Sequence, residues 1–329
     1  MVSPALADPI RVAYWQTELA GRGPGVMLRD IRKKTPRMIL VGQTLANIKA
    51  DILVLGGIDF DHDLIGLTAL KNVIGEFGLP YEHMFSALPN SGIDTGLDID
   101  GDGRLAGPRD AQGFGNFPGE EGMAVLSRWP IELIKDHTGQ LWKNVPHSQI
   151  IDSKGRSGGD APAADIQRLS SKNHWELQVH PRDNPTLTLM IFHATPPVFD
   201  GPEDRNGRRN ADEIMFWVHR LDGALGPPPD PPFLIMGTFN LDPEKRDGKR
   251  QTMQDVLADM RIQDPPALSR RPTAEWPPPG PGSLRVDYIL PSSDLGLLAA
   301  KVGENDPKAS HHFPIWVDID PPAGQALAK

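Results

Sequence analysis

Several side chains that could do acid–base, phosphate or metal chemistry stand at the ends of short apolar runs in this sequence. The clearest run is Phe233–Met236, which passes through Gly237 into Thr238 and Asn240. A short apolar run that ends in turn residues predicts a strand buried on both faces. Polar groups at such a strand end are a common way to present chemistry. Similar residues recur along the chain at Gln16, Asp59, His193 and His312, with Asp287 inside a further predicted strand.

The elements that would position these side chains are a mixture of strands and amphipathic helices. Strands are predicted over residues 10–16, 52–55, 122–127, 174–179, 187–192, 233–236, 284–290 and 313–319. Apolar spacing predicts helices near residues 28–31, 38–48, 64–77 and 210–221. This mixture favours an α/β fold in which two sheets pack together with helices outside them. The proline-rich stretches lie between these strands, so we predict one domain over residues 9–322, preceded by a flexible N-terminal remnant over residues 1–8.

The composition limits the classes of function. The chain has 329 residues, a net charge of −9 and no cysteine, which excludes disulfides, thiolate metal sites and cysteine nucleophiles. An acidic chain is poorly suited to gripping nucleic acid unless a metal provides positive charge, so a nucleic-acid-binding module without chemistry is disfavoured. No stretch approaches the roughly 18 apolar residues of a membrane span. Ala5-Leu6-Ala7 is similar to the end of an export signal, and we expect a monomer located in the periplasm or outside the cell.

Taken in order, the strand ends resemble the endonuclease/exonuclease/phosphatase family, the deoxyribonuclease-like fold. Seven pieces spread over nearly the whole chain carry the resemblance: Trp15-Gln16, Gly56-Gly57-Ile58-Asp59, Gly122–Arg128, Phe192-His193, Gly237-Thr238-Phe239-Asn240, Val286–Ile289 and Ser310-His311-His312. The resemblance implies a four-layer α/β sandwich, with two mixed β-sheets packed face to face and helices on the outside. It also implies metal-dependent cleavage of a phosphate ester by water, the substrate being a phosphate-containing small molecule or a nucleic acid.

The resemblance assigns roles to residues that match the family pattern. His193 and His312 would stabilise the charged phosphoryl oxygens, Asp287 would orient His312 and fix its tautomer, and Asn240 matches the family asparagine. Gln16 replaces another asparagine, adding a methylene but keeping the amide, and would contact metal or phosphate. We expect His193, Asn240, Asp287 and His312 to meet in one cleft.

Three further matched positions depart from the family pattern. Gly57 stands in place of a metal-binding glutamate, Thr238 in place of the aspartate that positions or activates water, and His311 in place of a carboxylate near the metal. A hydroxyl, with a pKa far above 7, cannot serve as the base. The loss of three carboxylates leaves the site poorly suited to Mg²⁺.

Two interpretations of these departures stay open. In the first, the site is rebuilt, and His193, His311 and His312 with Asp59 or Asp61 hold a softer divalent metal such as Zn²⁺ or Mn²⁺. The chain would then be a hydrolase of a phosphomonoester or a phosphodiester. In the second, the metal chemistry is gone, and the cleft either binds a ligand without catalysis or catalyses a reaction that needs histidine alone.

A separate acidic loop has a calcium-binding pattern. Asp98, Asp100 and Asp102 alternate and lead into Gly103, as in the first half of a calcium loop. The twelfth position is Arg109, where a bidentate glutamate is expected. The pattern predicts a structural Ca²⁺ bound by these aspartates, and the alternative is an acidic loop with Asp-Gly turns.

Four arginines, together with Asn206, are candidates for binding the phosphate of a substrate. Arg109 follows the acidic loop, whereas Arg205, Arg208 and Arg209 lie between His193 and the helix predicted from Asn210. A helix N-terminus favours an anion because its N–H groups point outward. Solvated surface arginines are the more common explanation for such residues.

Overall fold

The chain forms thirteen β-strands, five α-helices and one 3₁₀ turn in the computed structural model, which describes residues 9–320 apart from 152–162, 183, 246 and 305. The strands are β1 (Ile10–Gln16), β2 (Ile52–Ile58), β3 (His83–Phe85), β4 (Gly122–Ser127), β5 (Ile131–Asp136), β6 (His174–Val179), β7 (Leu187–His193), β8 (Phe233–Thr238), β9 (Ala274–Trp276), β10 (Gly282–Leu284), β11 (Asp287–Pro291), β12 (Gly296–Val302) and β13 (Ile315–Asp320). The helices are α1 (Val26–Arg32), α2 (Pro36–Ile48), α3 (Ile65–Glu76), α4 (Arg205–Leu221) and α5 (Arg250–Leu257), and the 3₁₀ turn covers Trp142–Asn144. The predicted N-terminal remnant, residues 1–8, lies outside the described residues.

The strands build two mixed sheets and a separate hairpin. The first sheet has the order β12-β13-β1-β2-β4-β3, the second has the order β11-β8-β7-β6-β5, and β9 pairs with β10. Each large sheet contains one parallel pair, β1 with β2 and β7 with β8, and its other neighbours run antiparallel. The predicted α/β sandwich of two mixed sheets with outer helices is confirmed.

Three apolar clusters hold the layers together, and β2 contributes to two of them. Ile52 and Val54 lie in the cluster between the sheets, whereas Leu53 and Leu55 lie in the cluster that packs the first sheet against α1, α2 and α3. The third cluster packs the second sheet against α4 and α5. Successive side chains of a strand point to opposite faces, so a strand covered on both faces is apolar throughout. The same alternation places Gly56 on the side that faces the second sheet.

The buried strands match their predicted positions, but one of them begins later than predicted. β4 and β6 have the bounds predicted from the sequence. The strand predicted over 284–290 is wrong at its start, because β10 ends at Leu284 and β11 begins at Asp287. Between them the Arg285 N–H donates to the Asp242 carboxylate at 2.8 Å, which draws the backbone out of the strand.

Five elements have no counterpart among the predictions: β3, β5, β12, α5 and the β9–β10 hairpin. β5 and β12 lie near or at sheet edges with mostly exposed side chains, including Leu133 and Leu298, so their sequences lack a buried-strand pattern. The short helix α5 buries only Met253 and Val256. Among the described residues, no helix is long and apolar enough to cross a bilayer.

The buried guanidinium of Arg209 ties α4 to two loops. Its Nε donates to the Leu169 carbonyl at 2.8 Å, and its Nη2 donates to the carbonyls of Gln112 (2.5 Å), Arg168 (3.0 Å) and Ser170 (3.1 Å). These carbonyls lie in the segments that lead towards β6 and β4. Arg209 therefore fixes the segment that precedes β6 relative to the helix.

Truncation of this side chain should destabilise the fold strongly. We expect Arg209→Ala to lower the free energy of unfolding by about 3–5 kcal/mol, because it leaves several buried carbonyls without a donor. The matched control is Arg208→Ala on the same turn, whose Nε donates only to the Glu203 carbonyl at 3.1 Å, and we expect it to cost less than about 1 kcal/mol. Urea denaturation measures both values, and equal losses would contradict the assignment.

Candidate active site

The two parallel strand pairs bring the predicted strand ends to one cleft between the sheets. In the first sheet Gln16 pairs with Gly56, and in the second sheet His193 pairs with Thr238. Gln16, His193 and Thr238 are all buried. Parallel strands end at the same edge of a sheet, so these polar groups lie close together at the point where the apolar core between the sheets ends.

A chain of three buried hydrogen bonds crosses this cleft. The Tyr14 hydroxyl on β1 lies 2.7 Å from Thr238 Oγ1, and the Thr238 hydroxyl donates to Asp287 Oδ1 at 2.6 Å. Asp287 Oδ2 accepts from His312 Nδ1 at 2.7 Å. Because Thr238 gives its proton to Asp287, Tyr14 donates to Thr238. The chain thus joins the first sheet, through Tyr14, to the second sheet and to the segment that precedes β13.

Asp287 sets the tautomer and the charge of His312. The Nδ1 proton points at the carboxylate, so Nε2 is the nitrogen that exchanges a proton with a ligand. Burial by itself would lower the pKa of His312, but the charge and hydrogen bond of Asp287, with smaller contributions from Glu18 and Glu121, raise this pKa above its ordinary value. The backbone is also fixed, since Trp15 Nε1 donates to the His312 carbonyl at 2.8 Å.

His193 is the second histidine of the cleft, and Asn240 lies beside it. Asn240 Nδ2 lies 3.4 Å from His193 Nε2 and donates to the Ala194 carbonyl at 2.8 Å. An amide nitrogen only donates, so the proton of the neutral His193 ring is assigned to Nδ1. Within the described residues this buried Nδ1 has no hydrogen-bond partner. Burial is the main cause that lowers the pKa of His193 to about 3, so the ring is neutral at pH 7.

Two charged residues that sequence reasoning missed complete the cleft. Lys172 Nζ lies 2.9 Å from Glu121 Oε2, and Glu121 Oε1 lies 3.5 Å from Gln16 Nε2. Burial works to raise the pKa of Glu121, but the charge and hydrogen bond of Lys172, together with the charge of His312, lower it below its ordinary value. Both residues stand just before antiparallel strands, β4 and β6, and strands of that direction begin at the edge where β2 and β7 end.

Gly56 and Gly57 lie at the end of β2, where the family pattern has a glutamate. Of the two, Gly56 faces the cleft. A Cβ on Gly56 would lie 2.3 Å from Gln16 Oε1 and 2.6 Å from the Tyr14 hydroxyl. Gly57, which the sequence motif pointed to, lies at a bulge with φ +70°, and a Cβ there would lie 2.6 Å from the Glu18 nitrogen. Neither position accepts a side chain without displacing its neighbours.

Two of the predicted metal ligands are held by other protein groups. The Asp59 carboxylate accepts the backbone N–H of Gly21 at 2.8 Å and that of Glu121 at 3.1 Å, and burial raises its pKa. His311 Nδ1 lies 3.1 Å from Glu18 Oε2. Asp59 therefore anchors two loops around the cleft, and His311 pairs with Glu18 at its rim.

Three candidate arginines, Arg109, Arg205 and Arg208, differ in their burial and in their partners. Arg109 is exposed in the loop that follows the acidic cluster. Arg205 Nη2 donates to Gln167 Oε1 at 2.7 Å, and burial lowers its pKa to about 10. Arg208 Nε donates to the Glu203 carbonyl. In the part of the chain that the structure describes, none of the three forms a hydrogen bond or ion pair with a cleft residue.

The donor set of the cleft does not fit a divalent cation. Such ions need several oxygen ligands that are free to coordinate, but Asp287 is bonded to Thr238 and His312, and Glu121 is paired with Lys172. Across the described ranges, only one group of three His, Asp or Glu residues has its ligand atoms within 4.8 Å of one another, and it is Asp98, Asp100 and Asp102. The predicted set of His193, His311, His312 and Asp59 is therefore not brought together as a metal site.

Solved structures with this fold are numerous, although their sequences are distant. An endonuclease/exonuclease/phosphatase from Beutenbergia cavernae matches with a TM-score of 0.58 and 16% identity, covering 97% of this chain and 74% of that one. A family protein from Leptotrichia buccalis matches with a TM-score of 0.56 and 15% identity, covering 94% and 99%. Sphingomyelinase C from Streptomyces griseocarneus matches with a TM-score of 0.51 and 15% identity, covering 95% and 99%.

A search of curated proteins found no match. The model of the Endonuclease/Exonuclease/phosphatase family, however, matches residues 20–309. This range contains the strand ends at His193, Thr238 and Asp287, and it covers most of the chain. By this match and by its fold, the chain belongs to the endonuclease/exonuclease/phosphatase family.

Proposed function

We propose that this chain hydrolyses a phosphomonoester or a phosphodiester in the cleft between its two sheets. The observation that carries the proposal is the Asp287–His312 pair together with His193, whose buried Nδ1 lacks a partner among the described residues. Buried polar groups in native proteins are nearly always hydrogen-bonded, so an unpartnered donor indicates the place of a ligand atom. Membership of a phosphoester hydrolase family supports the same reaction class.

The cleft offers hydrogen-bond donors for the phosphoryl group. His193 Nδ1–H and protonated His312 Nε2–H would donate to phosphoryl or ester oxygens, where negative charge develops in the transition state. The side chain of Gln16 also has a buried oxygen that is unpartnered in the described part of the chain, and as an acceptor it would take a hydrogen bond from the attacking water. Asn240 would hold His193 in place through the contact between the amide and Nε2.

Hydrolysis itself requires mainly positioning and charge stabilisation. The oxygen of a water molecule bonds to phosphorus while the ester P–O bond breaks. His312 gives its Nε2 proton to the leaving oxygen, and the proton released by the water restores His312. Asp287 keeps His312 oriented and stabilises its cationic form. Enzymes of this family generally depend on divalent metals, but the donor set described above does not fit one, and none of these steps is routed through a metal.

A non-catalytic binding protein on the same scaffold is the second candidate. The observation that favours it is Thr238, which stands where a water-activating carboxylate is expected. Its hydroxyl is already bonded to Tyr14 and Asp287, and it cannot accept the proton of an attacking water. In that case the cleft would bind a phosphate-containing ligand without turnover.

Removal of His193 tests the proposed hydrolysis. We expect wild-type protein to hydrolyse bis(p-nitrophenyl) phosphate or p-nitrophenyl phosphate, and His193→Ala to lower kcat/KM by about 100-fold or more, because a donor to the phosphoryl oxygen is lost. The control is His180→Ala, which replaces a half-exposed histidine beyond the end of β6. Separate assays contain Mg²⁺, Mn²⁺, Zn²⁺, Ca²⁺ or EDTA. Absence of turnover by the wild type in every condition would rule out the hydrolase and favour the second candidate.

Restoring an acid at position 238 should destabilise this cleft. The new carboxylate of Thr238→Asp would replace a hydroxyl that lies 2.6 Å from Asp287, and two buried acids in contact must share a proton. We expect a loss of about 2 kcal/mol or more in unfolding free energy at pH 7. The loss should be smaller at pH 4.5, because a folded pKa raised above its unfolded value gives stability that is present at low pH and disappears as the pH rises.

Thr238→Ser is the control for this variant, because it keeps the hydroxyl and should stay close to the wild type at both pH values. Chemical denaturation at the two pH values gives the comparison. A stable Thr238→Asp protein that gains Mg²⁺-dependent turnover would contradict the expectation and show that the acid alone was lacking.

We also propose Ca²⁺ as the ion for the acidic loop. Asp98, Asp100 and Asp102 have ligand atoms within 4.8 Å of one another, and Ca²⁺ prefers such oxygens. Added Ca²⁺ should raise the Tm of the wild type by several degrees, and the variant with Asp100→Asn and Asp102→Asn should lose that shift. Asp63→Asn, on an exposed aspartate, serves as the control. An equal shift in all three proteins would contradict a site in this loop.

A further inference from the structure

The most unusual charged group near the cleft is the ammonium of Lys172. Its side chain is only 8% exposed, and its Nζ lies 2.9 Å from Glu121 Oε2 and 3.4 Å from the Phe114 carbonyl. Lysines are almost never buried to this extent, because removing an ammonium from water costs several kcal/mol even when it is paired. A buried lysine at a cleft that contains two histidines therefore indicates a function rather than a contribution to stability.

Glu121, the carboxylate partner of Lys172, has a strained backbone conformation. Glu121 has φ +55°, in the left-handed region that non-glycine residues rarely adopt. Strained backbone of this kind persists where surrounding contacts fix it, and it is concentrated at functional sites. Here the Glu121 N–H donates to Asp59 at 3.1 Å, and the side chain reaches Gln16 at 3.5 Å. These contacts aim the carboxylate into the cleft.

The ion pair lies where the strand ends of the first sheet meet those of the second. Gln16 pairs in register with Gly56, the cleft-facing position that has no side chain. Glu121 reaches the same place from the start of β4, and Lys172 reaches it from the segment before β6. His312 is close enough for its charge to lower the pKa of Glu121. The Lys172 ammonium is thus fixed beside Glu121 at a place where the described cleft residues have no ligand set for a dication.

We propose that Lys172, held by Glu121, is the cation that binds the phosphate oxygens of the ligand, so that this cleft recognises a phosphate ester without a divalent metal. The proposal deepens the function proposed above and rests on it. An ammonium has three donors. Two of them point at Glu121 and at the Phe114 carbonyl, and the third, which has no partner among the described residues, can donate to a phosphoryl oxygen. His193 Nδ1–H and His312 Nε2–H would donate to the remaining oxygens.

Phosphate binding in the presence of EDTA tests this proposal without requiring turnover. The full chain, freed of metal, is titrated with inorganic phosphate by isothermal calorimetry. We expect binding by the wild type and a loss of at least about tenfold in affinity for Lys172→Met, because a charge-assisted hydrogen bond to the phosphate is lost. Lys143→Met, which removes a lysine paired with Asp165 on the surface, should bind phosphate like the wild type.

Lys172→Gln keeps the test decisive if Lys172→Met fails to fold, because its amide can still donate to Glu121. This variant removes the ammonium charge, so its phosphate affinity should fall as in Lys172→Met. A second arm titrates Mn²⁺ and Mg²⁺ into protein that carries Asp100→Asn and Asp102→Asn, so that the acidic loop does not contribute. We expect no binding of either ion by this protein.

The outcomes separate this inference from the proposed hydrolysis. Phosphate binding that needs an added divalent ion, or that is equal in the wild type, Lys172→Met and Lys172→Gln proteins, would overturn the role of Lys172. Dication binding to the wild-type cleft in the loop-mutant background would also overturn it. Phosphate binding that depends on Lys172 without any turnover would support the inference while the proposed hydrolase fails.

Discussion

The buried hydrogen-bond chain from Tyr14 through Thr238 and Asp287 to His312 is the interaction on which the cleft depends. Each member comes from a different segment, so the chain forms only when both sheets are in place. The Asp287 carboxylate is almost fully buried, and an unpaired charge there would cost several kcal/mol. The need to pair this carboxylate therefore fixes the position of the threonine hydroxyl and the orientation of the histidine ring.

The rest of the cleft follows from the directions of the strands. β2 and β7 end at the cleft, and their antiparallel neighbours β4 and β6 begin there. Side chains just before β4 and β6 can therefore reach the cleft as readily as side chains at the ends of β2 and β7. This is why Glu121 and Lys172, which stand before strands, face Gln16 and His193, which stand at strand ends. Residues before one strand and residues at the end of its antiparallel neighbour therefore lie at the same edge of the sheet.

The charge balance of the cleft differs from that of a dication site. Glu121 is compensated by Lys172, and Asp287 by His312, so neither carboxylate is left for coordination. Burial works to lower the pKa of both histidines. It is the dominant effect at His193, which stays neutral, whereas the carboxylate of Asp287 outweighs it at His312. A neutral donor and a cationic donor in one cleft are suited to a phosphate ester, whose charge changes during cleavage.

The sequence by itself determined the buried architecture and part of the site. Apolar runs such as the one in β2 must lie between two layers. His193 and Asn240 after such runs, and His312 before the last strand, were predicted as site residues from this pattern together with the family resemblance. Edge strands such as β12 were not found, because exposed side chains need no periodic pattern.

Only the tertiary structure showed that β4 and β6 run in the direction that brings Glu121 and Lys172 to the cleft. It alone also showed that Gly56, and not Gly57, faces the cleft. It also showed that Asp59 is occupied by backbone N–H groups. These points depend on register, strand direction and backbone conformation. Such properties arise from contacts between segments that are distant in the chain, and for that reason no local stretch of sequence encodes them.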